Sequence, residues 1–291
     1  MGAMRHVALL ICLTVALAGS ACNEGDTPTS PTPGNDVRYG VVGASDAVGY
    51  GSSAPCLPLE DCAGNGYAPI VKRRFQSDGA SVQLANRGIP GAVLSPAIQV
   101  LARELGHTDI RTLLEQSAPF IPSNSTHVSI FTGGNDANVI GQAVRTGRAG
   151  ATVGGFIDQQ VNQFGVDLVD LVGRIRTRSP NARIVAMNLP NLAVAPYASA
   201  LSVTEKSILQ RIAVGLTDRI NALAAQGIIV VDLMCDPRVY TPANYSADGF
   251  HPSDAGYLIM ADLLYPALRN GTAAAPSGSC PQRAAVPVFP G

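Results

Sequence analysis

Four short segments of this chain carry side chains suited to acyl transfer. Gly-Ala-Ser-Asp at 43–46 places Ser45 after a short apolar run and among small residues. A serine hydroxyl is a poor nucleophile until a base takes its proton. Small neighbours let the chain turn sharply, so that Oγ projects from a strand end and the Ser45 N–H points at a bound carbonyl. Asp-Gly-Phe-His-Pro at 248–252 supplies a base and an orienting acid, His251 and Asp248. An acid three residues before a histidine can hold one ring tautomer and leave the other nitrogen free to accept the serine proton. Asn-Arg-Gly-Ile-Pro-Gly at 86–91 and Gly-Gly-Asn-Asp at 133–136 offer a glycine N–H and an asparagine amide. Both are suitable donors to a tetrahedral oxyanion. Each segment alone also reads as an ordinary loop, because serine, asparagine and glycine recur in turns for local hydrogen-bonding reasons. The remaining histidines suit other roles: His6 lies in a leader, His107 in a polar, solvated loop, and His127 opens a strand as a structural residue.

These segments need a scaffold that gathers strand ends. Strands are expected at 37–43, 81–85, 127–131, 183–187 and 228–233. Helices are expected at 67–75, 92–105, 156–178, 204–225 and 254–268. The surest is 156–178, where Val161, Phe164, Leu168, Leu171, Val172 and Ile175 recur at helical spacing. Alternating strands and helices imply an α/β fold: a three-layer α/β/α sandwich around a parallel, flavodoxin-like sheet. The β-branched run 228–231 suits a sheet buried on both faces. Functional groups then belong on loops at the carboxyl ends of the strands.

The chain has 291 residues and a formal net charge of −1. That length can bury a substantial core. Near-neutral charge excludes nucleic acid as the main partner, which needs a concentrated basic surface. Residues 1–21 read as an export signal, with Arg5 before an apolar stretch at 7–18 too short to span a bilayer. Cys22 ends a Leu-Ala-Gly-Ser-Ala-Cys run like a bacterial lipoprotein box, although Gly19 stands where leucine is preferred; ordinary cleavage after Ala18 or Ala21 is the alternative. Residues 22–36 form a Pro/Thr-rich tether, 37–270 the folded domain and 271–291 a low-complexity tail. Lipidation of Cys22 would leave Cys56, Cys62, Cys235 and Cys280, an even set that an exported protein would pair. Two bonds are expected, Cys56 to Cys62 and Cys235 to Cys280, with crossed pairing left open. No cluster of histidine and cysteine completes a zinc set.

Taken together, the four segments resemble the SGNH hydrolases, also called GDSL esterases and lipases. Their blocks fall here on Ser45, Gly91, Asn135 and His251, in family order, across 37–268. The resemblance implies Ser45 as nucleophile, His251 as general base and acid, and Asp248 as orienting carboxylate. It implies an oxyanion hole from the Ser45 and Gly91 N–H groups and the Asn135 side chain, with Gly88 the competing glycine. It implies no metal and no cofactor. One departure is visible: the family places aspartate before the serine, where this chain has Ala44, and Asp46 follows instead. Asp136 is expected to be structural. The α/β-hydrolase fold is a poorer match, because its Gly-x-Ser-x-Gly elbow would need glycine where Ala47 stands.

The function expected is ester hydrolysis through an acyl-enzyme, on a small acyl ester, a lipid, a thioester or an acylated glycan. The alternative outside enzymes is a surface binding lipoprotein on a degenerate hydrolase scaffold. The apolar stretch 188–200, with Leu192, Val194 and Tyr197, is expected either to line an acyl pocket or to pack as a connection. The Gly-rich stretch 137–155 is expected to be a mobile cover over the site.

Overall fold

A computed structural model describes residues 36–56 and 61–289. The leader, Cys22 and all of the tether but Asp36 lie outside the described residues. In chain order the elements are β1 (Asp36–Gly43), α1 (Tyr67–Ser77), β2 (Ser81–Asn86), α2 (Pro96–Glu104), α3 (Leu113–Gln116), β3 (His127–Phe131), α4 (Gly134–Arg145), α5 (Val153–Arg178), β4 (Arg183–Met187), α6 (Val203–Asn221), β5 (Ile229–Val231) and α7 (Asp254–Asn270).

The five strands form one parallel sheet in the order β2-β1-β3-β4-β5. Successive strand residues point to opposite faces. In β3, Val128, Ser129, Ile130 and Phe131 are nevertheless all buried, so both faces are covered. Helix α1 packs against α7, while α4 and α5 pack against α6, giving the two helical layers of the expected sandwich. The long helix α5 turns Ile157, Val161, Phe164, Leu168, Leu171 and Ile175 inward, as its spacing requires.

Strand register places the site. Gly43 pairs with Phe131, Phe131 with Met187, and Met187 with Val231. The carboxyl ends of four strands are therefore level, and the loops that leave them share one edge. The chain steps outward from β1 to β2, then crosses back to β3, so β1 and β3 flank a switch point, the usual crevice for a ligand in such sheets.

One expectation needs correction. The helix expected at 92–105 starts only at Pro96, which occupies its first turn with Ser95 as N-cap. Residues before it run extended, Val93 bridging to Thr112. The stretch 137–155 is largely helical: α4 takes it up to Arg145, and α5 begins at Val153. The tail is docked as well. A 3-10 turn at Pro281–Ala284 and the backbone of Val286 lie against α6.

Candidate active site

Ser45 follows β1 in a tight turn and is buried. The turn is closed by backbone bonds: Ala47 N–H to Ala44 O (3.2 Å), Gly49 N–H to Asp46 O (3.0 Å) and Tyr50 N–H to Ser45 O (3.0 Å). The Asn86 amide, from the end of β2, donates to Ala47 O at 2.6 Å. Position 44 therefore needs no side chain to shape the turn. Its methyl group is simply buried.

His251 reaches this serine from a loop 206 residues away in sequence. Its Nε2 lies 2.8 Å from Ser45 Oγ, and its Nδ1 lies 2.6 Å from Asp248 Oδ2. The other carboxylate oxygen of Asp248 accepts from the N–H groups of Phe250 (2.8 Å) and His251 (2.9 Å) and from Ser246 Oγ (2.8 Å). Partial burial pushes the Asp248 carboxyl up, but the hydrogen bonds from His251, Phe250 and Ser246 outweigh it and bring it down to about 2. Asp248 is thus ionised throughout the neutral range. Pro252 and the Ser253 cap, which accepts from Gly256 N–H, lead the loop directly into α7.

The 86–91 loop lies against the serine turn. Arg87 N–H donates to Val41 O and Ile89 N–H to Gly43 O. Of the two candidate glycines, Gly88 has its N–H bound to Asn86 Oδ1 at 3.0 Å, within a tight pocket against Ala47 and Ala44. Gly91 sits at φ +75°, with open space where a Cβ would be. A left-handed residue there suits glycine. Asn135 stands in the first turn of α4, and its Nδ2 donates to Ala92 O at 2.8 Å, tying it to the same loop. The adjacent Asp136 is fully buried, and its Oδ1 accepts from Leu94 N–H at 2.9 Å. Burial pushes its carboxyl up to about 7, against the bonds from Leu94 and its own N–H; Asp167 adds to the rise.

Asp46, on the other side of Ser45, is held above the ordinary aspartate range by burial, with the charge of His251 opposing. It lines a cavity of about 60 Å³ at the strand ends, together with Phe131, Leu189, Leu192, Leu233 and Phe250. Tyr245 also lines it, and its hydroxyl is buried without a hydrogen-bond partner. Of the three residues expected at an acyl pocket, Leu192 lines this cavity. Val194 and Tyr197 do not; Tyr197 packs edge-on to Phe250 at 5.0 Å.

His127 and His107 lie apart from these groups. His127 is half-buried, bonded to Thr126 Oγ1 at 2.8 Å, and pushed down to about 4 by burial and by Arg183. His107 is exposed and pairs with Gln142. Both disulfides take the expected pairing, Cys56–Cys62 and Cys235–Cys280, each with Cα atoms 5.7 Å apart. Among the described residues no group of three or more histidine, cysteine, aspartate or glutamate side chains is gathered to hold a metal, and no helix is long and apolar enough to cross a membrane.

Sequence reasoning missed the backbone partners of the side chains it singled out: Ala47 O for Asn86, Ala92 O for Asn135 and Leu94 N–H for Asp136. Every residue has a carbonyl and most have an N–H, so no residue type marks them. It also missed Tyr50, whose ring lies 4.7 Å from that of His251 and which is signalled only by its flanking glycines.

Residues 41–259 match the GDSL-like Lipase/Acylhydrolase family. The chain belongs to that family. It is therefore an ester-hydrolysing enzyme. Comparison with curated proteins gives no significant match. Among solved structures, the lipase Lip_vut3 from a goat rumen metagenome is 19% identical with a TM-score of 0.54, over 79% of this chain and 97% of that one. An extracellular lipase from Streptomyces rimosus is 17% identical with a TM-score of 0.49, over 81% of this chain and 100% of that one. Phospholipase A1 from Streptomyces albidoflavus NA297 is 16% identical with a TM-score of 0.48, over 81% and 99%. The first of these shares the fold of this GDSL-family chain.

Proposed function

We propose that this GDSL-family chain hydrolyses esters through Ser45, His251 and Asp248, with an acyl-enzyme on Ser45. The observation that carries the reading is the unbroken chain of contacts, 2.8 Å from Ser45 Oγ to His251 Nε2 and 2.6 Å from His251 Nδ1 to Asp248. These are hydrogen-bond distances suited to proton transfer. His251 takes the Ser45 proton as Oγ attacks the ester carbonyl carbon. The carbonyl oxygen becomes an oxyanion, received by the N–H groups of Ser45 and Gly91 and by Asn135. The Asn135 amide has two N–H bonds, so the one given to Ala92 O leaves the second for the oxyanion. The imidazolium, stabilised by ionised Asp248, hands its proton to the alcohol oxygen as the C–O bond breaks. Water then enters, loses a proton to His251 and attacks the acyl carbon. Ser45 Oγ leaves and is reprotonated, and the acid departs. None of these steps calls on a metal or cofactor.

The expected substrates are small acyl esters, lipids or acylated glycans. The two disulfides support export to an oxidising compartment; the Leu-Ala-Gly-Ser-Ala-Cys run is what supports Cys22 as a lipid anchor. The test is labelling with a fluorophosphonate probe beside hydrolysis of a short p-nitrophenyl ester. Wild-type protein is expected to label and turn over; Ser45→Ala is expected to do neither while keeping its unfolding midpoint. Full activity in Ser45→Ala would sink the assignment. Wild-type protein that neither labels nor turns over would revive the binding-lipoprotein reading.

A further inference from the structure

The His251 imidazole is flanked by two aromatic rings. Phe250 meets it edge-on, with centroids 4.9 Å apart, and is itself backed by Tyr197. Tyr50 lies 4.7 Å away, tilted by 59°. The two differ in one respect: Phe250 lines the cavity wall, whereas Tyr50 is 47% exposed.

The backbone delivers the Tyr50 ring to this place. Its N–H binds Ser45 O at 3.0 Å, and its carbonyl accepts from Tyr257 Oη at 2.6 Å. Gly51, at φ +91°, lets the turn press against the histidine loop. A Cβ there would fall 2.8 Å from His251 Cβ and 2.9 Å from Ser246 Oγ. The imidazole does not depend on this ring for its orientation, since Asp248 already holds Nδ1 and the loop backbone.

The position of Tyr50 is telling given the reaction proposed above, on which this inference rests. His251 gives its proton to the departing alcohol oxygen, so the alcohol moiety lies beside the imidazole while the carbonyl oxygen points to the oxyanion donors. A half-exposed ring against the imidazole therefore borders the alcohol. We propose that Tyr50 forms a leaving-group subsite that takes an alcohol with a flat apolar ring face, either a sugar ring or an aryl ring. Aryl rings pair with an aromatic side chain in offset or edge-to-face geometry, and the C–H face of a sugar ring packs on one by apolar contact.

The test compares three acetates with one acyl group and different alcohols: an acetylated methyl glycoside, phenyl acetate and ethyl acetate. Each is measured with wild type, Tyr50→Phe and Tyr50→Leu. The parameter is kcat/KM, which covers steps through alcohol departure. The ratio of variant to wild type for each ester cancels that alcohol's own reactivity. Tyr50→Leu is expected to lose about two- to tenfold on ring-bearing alcohols and nothing on ethyl acetate. Tyr50→Phe is expected to retain all three. A loss confined to the glycoside assigns the subsite to glycans, and one confined to phenyl acetate assigns it to aryl alcohols. Equal losses on all three esters overturn the proposal and leave Tyr50 as a support for His251; no loss on any overturns it outright. Both anchors of residue 50 are backbone groups, so the leucine variant is expected to fold, and its unfolding midpoint checks this. Failure of the triad itself would show differently, as wild-type protein that neither turns over nor labels with fluorophosphonate.

Discussion

Ala44 and Asp46 exchange the usual order of residues around Ser45, the proposed nucleophile, and the structure shows what shapes the turn in their place. Its shape comes from the Asn86 amide on Ala47 O and from backbone bonds closing at Ala44, Ser45 and Asp46. The carboxyl moved to position 46 lines the cavity instead, where burial favours its neutral form. Asn135 offers a sharper test at this scale. Asn135→Ala removes both the Ala92 bond and the proposed oxyanion donor. Such a donor acts only on charge that develops in the transition state, so kcat is expected to fall about 100- to 1000-fold with KM little changed. Steady-state kinetics on a p-nitrophenyl ester checks this; a rise in KM at constant kcat would assign Asn135 to substrate binding. Ser45, Asp248, His251 and Asn135 stand out in the sequence as candidates because their side chains have distinctive chemistry, and the fold brings His251 to within 2.8 Å of Ser45 and 2.6 Å of Asp248. The proposed Gly91 donor stands out only as one of two glycines. The occupied Gly88 N–H separates them, and that depends on how Asn86 folds back.

At the scale of elements, the long periodic helix α5 and the order of the strands could be read directly, since their apolar spacing reflects burial on a fixed face. The short extended stretch before α2 could not. Its apolar residues continue the helical period, but Val93 N–H and O bond across to Arg111 and Leu113, and Pro96 starts the helix afresh. That stretch matters because it is clipped to α4 by Asp136, whose burial a sequence does not display. An unfolded aspartate titrates near about 3.9, whereas Asp136 in the fold is pushed up to about 7. Folding therefore takes up a proton between those values. The group's contribution is fully present below the unfolded value and is lost as pH rises through the folded one. Asp136→Asn keeps an acceptor for Leu94 N–H but cannot titrate. Urea unfolding across this range is expected to show the variant gaining on wild type as pH rises, by on the order of a few kcal/mol. A constant offset between the two proteins would show that Asp136 does not titrate there.

Over the whole molecule, the tail is the part whose role depends most on distant residues. Composition alone makes 271–291 look dispensable, yet it supplies partners to buried polar groups elsewhere. Gln210 of α6 is buried, donates to Val286 O at 2.9 Å and accepts from Val286 N–H at 2.9 Å. Buried Asn191 donates to Gln282 O at 2.7 Å, and Arg283 pairs with Asp218 at 2.6 Å. Releasing the tail would leave Gln210 and Asn191 short of partners, at about 1–3 kcal/mol for each group left unsatisfied. The Cys235–Cys280 bond closes a loop with a sequence separation of 45 and holds the tail in reach. By loop-closure entropy such a bond contributes about 2–4 kcal/mol. The double variant Cys235→Ser, Cys280→Ser is expected to lose that much in urea unfolding. Limited proteolysis is expected to cut first within 271–289. Fluorophosphonate labelling of Ser45 is expected to persist, because among the described residues the side-chain hydrogen bonds of Ser45, His251 and Asp248 run to one another and to residues of their own loops. Mild reduction of wild-type protein should reproduce the protease sensitivity. If stability and protease resistance were both unchanged in the double variant, the tail would be held by its contacts with α6 alone, and the disulfide would have no part in keeping it there.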